Sequence, residues 1–182
     1  MRLRKNLEAD MAMERIEYAV AGSPLGRMLV AATEKGICAI AFGDGDAPLT
    51  AELKKRFAKA KLRRDDAMLS KRVGAVLEHL REPKNAFRLP LDLRATEFQQ
   101  KVWQALLKIP AGETRSYKDV AKYLGRPTAA RAVAQACGRN PVAAVVPCHR
   151  VVGSDGKLSG YRWGIERKRK LLEREKADCI EQ

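Results

Sequence analysis

Apolar residues alternate from Ile16 to Val20. Met28, Val30 and Ala32 resume the period of two after Gly22-Ser23-Pro24-Leu25-Gly26, and together these runs predict a β-hairpin. A third strand is predicted from Ile37 to Phe42, after the Glu34-Lys35-Gly36 turn, and its apolar character suits a central position in a sheet. Thr50 has the chemistry of a helix cap. Leu69, Val73, Val76, Leu77 and Leu80 share one helical face, and Pro83 ends that helix. The stretch from Phe87 to Leu93, held extended by Pro90, reads as a connection.

Past Arg94 the pattern becomes helical. Thr96-x-x-Gln99 has the form of a capping box, and Phe98, Val102, Ala105, Leu106 and Ile109 line one face before Pro110. Ser116 can cap a short helix carrying Tyr117, Val120, Ala121 and Leu124, with Gly125 at its end. After the Gly125-Arg126-Pro127 turn, Thr128 is placed to cap a second helix. Its inner face carries Ala129, Val133 and Ala136, and its outer face Thr128, Arg131 and Gln135. Asn140-Pro141 closes it, and a strand-like apolar run, Val142 to Val146, enters Pro147-Cys148-His149-Arg150-Val151-Val152. The expected organisation is a flexible lead-in (1–13), an α/β domain (14–94) and a mostly helical domain (95–182).

Charge narrows the function. Lys and Arg number 36 against 22 Asp and Glu, a formal charge of +14 that favours a polyanionic partner, nucleic acid before membrane. The basic start is interrupted by Asn6, Glu8 and Asp10, so no secretory core forms, and no apolar run is long enough to span a membrane. Cys38, Cys137, Cys148 and Cys179 are widely spaced and contain no C-x-x-C half-site, which suits a reducing cytoplasm.

The helix-turn-helix pattern fits either DNA binding or a helical hairpin with a solvated arginine. Ala130 and Ala132 leave little bulk around Arg131, so the helix can approach a narrow groove closely. Three of the cysteines read as inert core residues. Cys148 stands apart because an imidazole follows it, and a thiolate is the reactive form of a thiol. Neighbours in an extended chain point to opposite sides, so proton transfer from Cys148 to His149 calls for a water relay. A carboxylate on the far ring nitrogen would orient the imidazole. The last helix offers several between Glu166 and Glu175, and spacing does not choose among them.

From about Tyr18 onward the chain resembles the O6-alkylguanine-DNA alkyltransferases, most of all the C-terminal domain of the bacterial Ada adaptive-response protein. The likeness is densest in Phe98-Gln99-Gln100-x-Val102-Trp103, Arg131-Ala132-Val133, the Pro147-Cys148-His149-Arg150 motif, and Leu158 through Tyr161-Arg162-Trp163-Gly164. The resemblance implies an RNase H-like α/β roll with a small antiparallel sheet, followed by a helical domain with the helix-turn-helix. It implies direct reversal of DNA damage: irreversible, stoichiometric transfer of an alkyl group from O6 of guanine, and less well O4 of thymine, to Cys148. A monomer would bind double-stranded DNA through the minor groove and flip the damaged base. His149 becomes the water-mediated base, Glu175 its orienting carboxylate, and Tyr117 a hydrogen-bonding partner of the leaving base. Arg131 fills the vacated stack, with Thr128, Ala130, Ala132 and Gln135 on the DNA face. Asn140, Pro147, Val151, Tyr161 and Lys168 build the pocket, and backbone groups of Cys148 and Val151 read the guanine edge.

Arg162 stands where some members of that family have serine, which bears on tolerance of bulky adducts. No cofactor is implied, and Cys38 with His79 could not complete a zinc site. Competing readings are a lesion-binding relative without the nucleophile, a cysteine hydrolase, and a major-groove transcription regulator. Cys148 opposes the first, the charge the second, and the alanine-rich face of the second helix the third.

Overall fold

The computed structural model describes residues 13–180, with side chains described to residue 176. The expected lead-in lies outside them apart from Met13, as does the side chain of Cys179. The fold is α/β: a small sheet with helices, then a helical half. Its contacts form two compact units, residues 1–74 with 89–92, and residues 75–88 with 93–182. The sequence places the boundary near Arg94, whereas residues 75–88 group with the second unit.

In the first unit β1 (Arg15–Ser23) and β2 (Gly26–Thr33) form the predicted hairpin, and β3 (Gly36–Gly43) adds to β2. Ser23 shapes the hairpin turn by accepting the Leu25 N–H at 3.1 Å and donating to the Gly26 carbonyl at 2.8 Å. The sheet is mixed, not antiparallel, because a fourth strand, β4 (Lys61–Arg64), pairs in parallel with β1 in the order β3-β2-β1-β4. With Leu62 as its only apolar residue, β4 has no period-two signal; its backbone pairing and Leu62 packing hold it in place.

β3 is an edge strand rather than a central one. Its apolar residues are consumed by packing against Leu49 and Leu53 of α1 (Asp46–Arg56), and its outer edge is partly closed by the 90–92 segment. There Ile37 donates to the Pro90 carbonyl and accepts from Asp92 N–H, both at 2.9 Å. Gly36, at φ +153°, permits this approach, since a Cβ would lie 2.5 Å from the Pro90 oxygen. Thr50 lies inside α1, which starts after Gly45 with Asp46 in its first turn. The other sheet face packs Ala19 and Ala32 against Leu69 and Val73, at the start of α2 (Ser70–Arg81).

In the second unit α3 (Glu97–Leu106) begins with the predicted Thr96–Gln99 capping box, and α4 (Tyr117–Tyr123) with a Ser116–Asp119 one. Gly125, at φ +69°, turns the chain after α4. α5 (Ala130–Gly138) has Ala129 at its N-cap with no side-chain cap, so Thr128 does not have the capping role expected of it. A two-residue parallel ladder joins β5 (Arg115–Ser116) to β6 (Val151–Val152), and α6 (Ile165–Ile180) closes the unit.

The Val142–Val146 run is a buried series of turns, not a strand. Val145 N–H bonds to the Ala143 carbonyl at 2.8 Å and Val146 N–H to that of Val142 at 3.2 Å. Ala144 sits in the left-handed region at φ +65°, a conformation that costs a non-glycine residue about 1–2 kcal/mol.

Candidate functional site

The site is built where α5 gives way to those turns. Asn140, completely buried, accepts the Val142 N–H on Oδ1 at 2.9 Å and donates from Nδ2 to the Val146 carbonyl at 2.8 Å and the Cys148 sulfur at 3.2 Å. Cys148, His149 and Arg150 then form a single 3₁₀ turn with Arg150 N–H on the Pro147 carbonyl at 3.0 Å. The chain therefore bends at the thiol instead of running extended.

Burial pushes the Cys148 thiol up to about 11, against the Asn140 hydrogen bond and the positive charge of Lys168. The thiol is thus protonated at neutral pH and needs a base to react. His149 Nε2 lies 2.7 Å from Glu175 Oε1, while its buried Nδ1 has no partner among the described residues. Burial raises the Glu175 carboxyl, but the hydrogen bond and charge of His149, then those of Arg150, outweigh it and bring the pKa down to about 2. An ionised Glu175 assigns the proton to Nε2 and leaves the Nδ1 lone pair as the basic position. Burial holds the imidazole below its ordinary pKa, against the pull of Glu175, so it is neutral and competent to accept a proton. Of the carboxylates on the last helix that spacing left open, Glu175 is the one in contact with His149.

Arg150, given no role by sequence reasoning, is buried beside this pair. Its Nε and Nη2 donate to the Glu175 carboxylate at 2.9–3.2 Å, and Nη1 donates to the Ile109 carbonyl at 2.6 Å. A formally charged residue flanked by the buried apolar Val142–Val146 run and by Val151-Val152 is the signal that could have found it.

Cys148 lies in the wall of a pocket of about 360 Å³, with Tyr117, Cys137, Tyr161 and Arg162 also in the wall. That volume is in the range of small-ligand sites. Tyr117 donates its hydroxyl to the Ser159 carbonyl at 3.3 Å, and Tyr161 stands edge-on to Trp163 at 5.1 Å. The buried Tyr161 hydroxyl has no partner among the described residues. A larger groove of about 860 Å³ in the first unit has no cysteine or histidine in its lining, and the chemistry therefore points to the smaller pocket.

Lys168 is wholly buried. Its ammonium donates to the carbonyls of Val151 at 2.6 Å, Ser159 at 3.0 Å and Gly160 at 3.3 Å, which ties β6 to the pocket loop. Burial lowers its pKa and the two cysteines counteract that. Val151 uses its N–H on the Cys148 carbonyl and its own carbonyl on Lys168, so these groups already have partners within the protein. Pro147 is buried at the start of the turn. On α5 and the turn before it, Thr128, Arg131 and Gln135 are exposed, while Ala130 and Ala132 are half-buried. Among the described residues no group of three or more His, Cys, Asp or Glu could hold a metal ion, and no helix is long and apolar enough to cross a membrane.

Two family models match the chain. The 6-O-methylguanine DNA methyltransferase ribonuclease-like domain covers residues 16–93, and the DNA binding domain of the same description covers residues 97–177. The bifunctional transcriptional activator/DNA repair enzyme Ada of Escherichia coli is 52% identical over 160 residues, 88% of this chain, which spans only 45% of that protein's length. The methylated-DNA--protein-cysteine methyltransferase of Methanosarcina barkeri is 40% identical over 162 residues, covering 87% of this chain and 96% of the relative. The crystal structure of Mycobacterium tuberculosis OGT in complex with DNA superposes with a TM-score of 0.75 at 40% identity, covering 88% of this chain and 93% of that one.

Proposed function

The chain belongs to the 6-O-methylguanine DNA methyltransferase family, and from that premise we propose that it repairs DNA by direct reversal, transferring an alkyl group from O6 of guanine to Cys148. The observation that carries this reading is a buried thiol in a pocket wall beside an imidazole whose far nitrogen is held by a carboxylate. The unpartnered Nδ1 of His149 takes the thiol proton through a water, and Glu175 stabilises the resulting imidazolium. The Cys148 sulfur attacks the alkyl carbon, an S–C bond forms, and the C–O6 bond breaks. The departing guanine anion takes up a proton from water while the Tyr117 hydroxyl hydrogen-bonds it, and the His149 imidazolium returns its proton to water, so the proton count balances. A thioether offers no hydrolysable bond comparable to an acyl-enzyme, so one chain acts once. O4-alkylthymine is a poorer substrate.

On the DNA side, a monomer engages duplex containing O6-alkylguanine through the minor groove. Thr128, Ala130, Ala132 and Gln135 face the groove, and Arg131 enters the stack left by the flipped base. Refilling the stack offsets part of an unstacking cost of about a few kcal/mol. Asn140 and Pro147 brace the turn, Val151 lies behind it, and Tyr161 walls the base pocket. The chemistry requires no cofactor. The cytoplasm, with access to the chromosome, is the expected setting.

The test is incubation with duplex DNA carrying labelled O6-methylguanine, followed by peptide mapping. One methyl per chain on the Cys148 peptide is expected. Label on another residue, or continued product release after one equivalent, refutes the assignment.

A further inference from the structure

Resting on the alkyl-transfer reading, we propose that Arg150 is a positioning residue for the reaction, a clamp that fixes Glu175 against His149 and shares the carboxylate between a guanidinium and the imidazole N–H. Every acceptor position that matters is occupied. Glu175 Oε1 takes His149 Nε2 at 2.7 Å and Arg150 Nη2 at 2.9 Å. Oε2 takes Arg150 Nε at 3.1 Å and the Gly112 N–H at 3.3 Å. The remaining arm of the guanidinium grips the Ile109 carbonyl at 2.6 Å, so one planar side chain fastens α6 to the segment after α3. A lysine carries the same charge but lacks the rigid fork that spans both carboxylate oxygens.

The electrostatics give the clamp a second effect. His149 meets Glu175 and Lys168 from α6, Arg150 and Cys148 from its own turn, and more remotely His79 from α2. Glu175 is the anion of this set that favours a protonated imidazole, and Arg150 is a permanent cation bonded to the same carboxylate. Without Arg150 the carboxylate's charge would act on His149 alone. The imidazole would then take a proton more readily and be a base less often at neutral pH.

Two variants of the full chain, Arg150→Met and Arg150→Lys, separate this role from simple structural support. The measurements are single-turnover transfer to Cys148 against pH and NMR titration of the His149 imidazole. Arg150→Met should move the acid limb and the imidazole titration upward by about one pH unit, slowing transfer roughly tenfold on that limb. Arg150→Lys should leave the limb near its original place, restoring the charge, yet transfer several-fold more slowly because the fork is lost. A folded Arg150→Met with an unmoved limb and titration overturns the proposal. If Arg150→Met does not fold, Arg150→Lys decides: a wild-type rate overturns the clamp. Failure of unmodified protein to alkylate Cys148 refutes the functional reading instead, and the imidazole titration still judges Arg150.

Discussion

The side-chain nitrogen of Asn140 holds the Cys148 sulfur at 3.2 Å and the Val146 carbonyl at 2.8 Å, so one amide both shapes the turn and polarises the thiol. In Asn140→Ala, the Val146 carbonyl loses a donor and the Val142 N–H loses its acceptor. At about 1–3 kcal/mol for each of these two buried unsatisfied groups, the variant should lose about 2–6 kcal/mol in urea unfolding. The Cys148 thiol, already raised to about 11 by burial, should rise further, and its alkylation by iodoacetamide should be slower. An unchanged alkylation profile in a folded variant contradicts the polarising role.

Cys148→Ser should bind O6-methylguanine duplex as the parent does and transfer nothing. A hydroxyl keeps the shape of the side chain and is a far weaker nucleophile at neutral pH. Gel-shift and label-transfer measurements on the same preparation check both halves of this statement.

Acid should weaken the fold through Glu175. Its pKa is near 2 in the folded protein against an ordinary 4.5, so the sign is that of a depressed carboxylate. The stabilisation is present above about pH 4.5 and is lost as pH falls towards 2, a contribution on the order of 3 kcal/mol. Glu175→Gln should show a shallower loss of stability across that window and slower transfer with DNA affinity retained. Parallel stability curves for variant and parent would exclude the contribution.

Lys168→Met leaves three backbone carbonyls short of a donor and removes a buried cation that favours the Cys148 thiolate. The variant should unfold at least about 2 kcal/mol more easily, with Cys148 less reactive toward iodoacetamide. A guanidinium is too large for a site with no exposed surface, so Lys168→Arg should not preserve the parent's stability despite keeping the charge. Wild-type thiol reactivity in a folded Lys168→Met would confine the lysine to a structural role.

Arg131→Ala distinguishes stack filling from phosphate contact. Loss confined to lesions in duplex DNA, with transfer from free O6-benzylguanine near normal, is the expected outcome. A uniform loss of DNA affinity with a salt slope reduced by about one charge would assign Arg131 to phosphate.

The capping box at Thr96 and the cap at Ser116 were legible because the hydrogen bonds they predict lie within four residues of chain, while the reciprocal Asp119 bond at Ser116 is seen only in the structure. The hairpin was legible for the same reason: its turn residues sit between its strands. β4 was not, since Lys61-Leu62-Arg63-Arg64 becomes a strand only through pairing with β1, far away in sequence. The 142–146 turns were read as strand-like because a buried apolar run has no period, and the deciding contact is the Asn140 side chain folding back on Val142 and Val146. At the site, the thiol and imidazole stood out as adjacent residues. The meeting of Glu175 with His149 was reached through family resemblance, and the convergence of Arg150 and Gly112 on that carboxylate depends on three separate segments coming together.

The borders of the sheet decide how copies of this chain meet when they are crowded. One border ends in Lys61, Arg63 and Arg64, with Arg63 paired to Glu17 at 2.9 Å; the other is partly occupied by the chain itself through Ile37 and Leu91. Arg63 is paired to Asp65 as well, and Arg64 to Asp66 and Asp46, so a neighbouring copy adding a strand here would have to desolvate a row of ion pairs where backbone groups would otherwise invite it. Exchanging Arg63 and Arg64 for valine would leave β4 able to pair and take away that charged guard, turning a border into a template for intermolecular sheet growth.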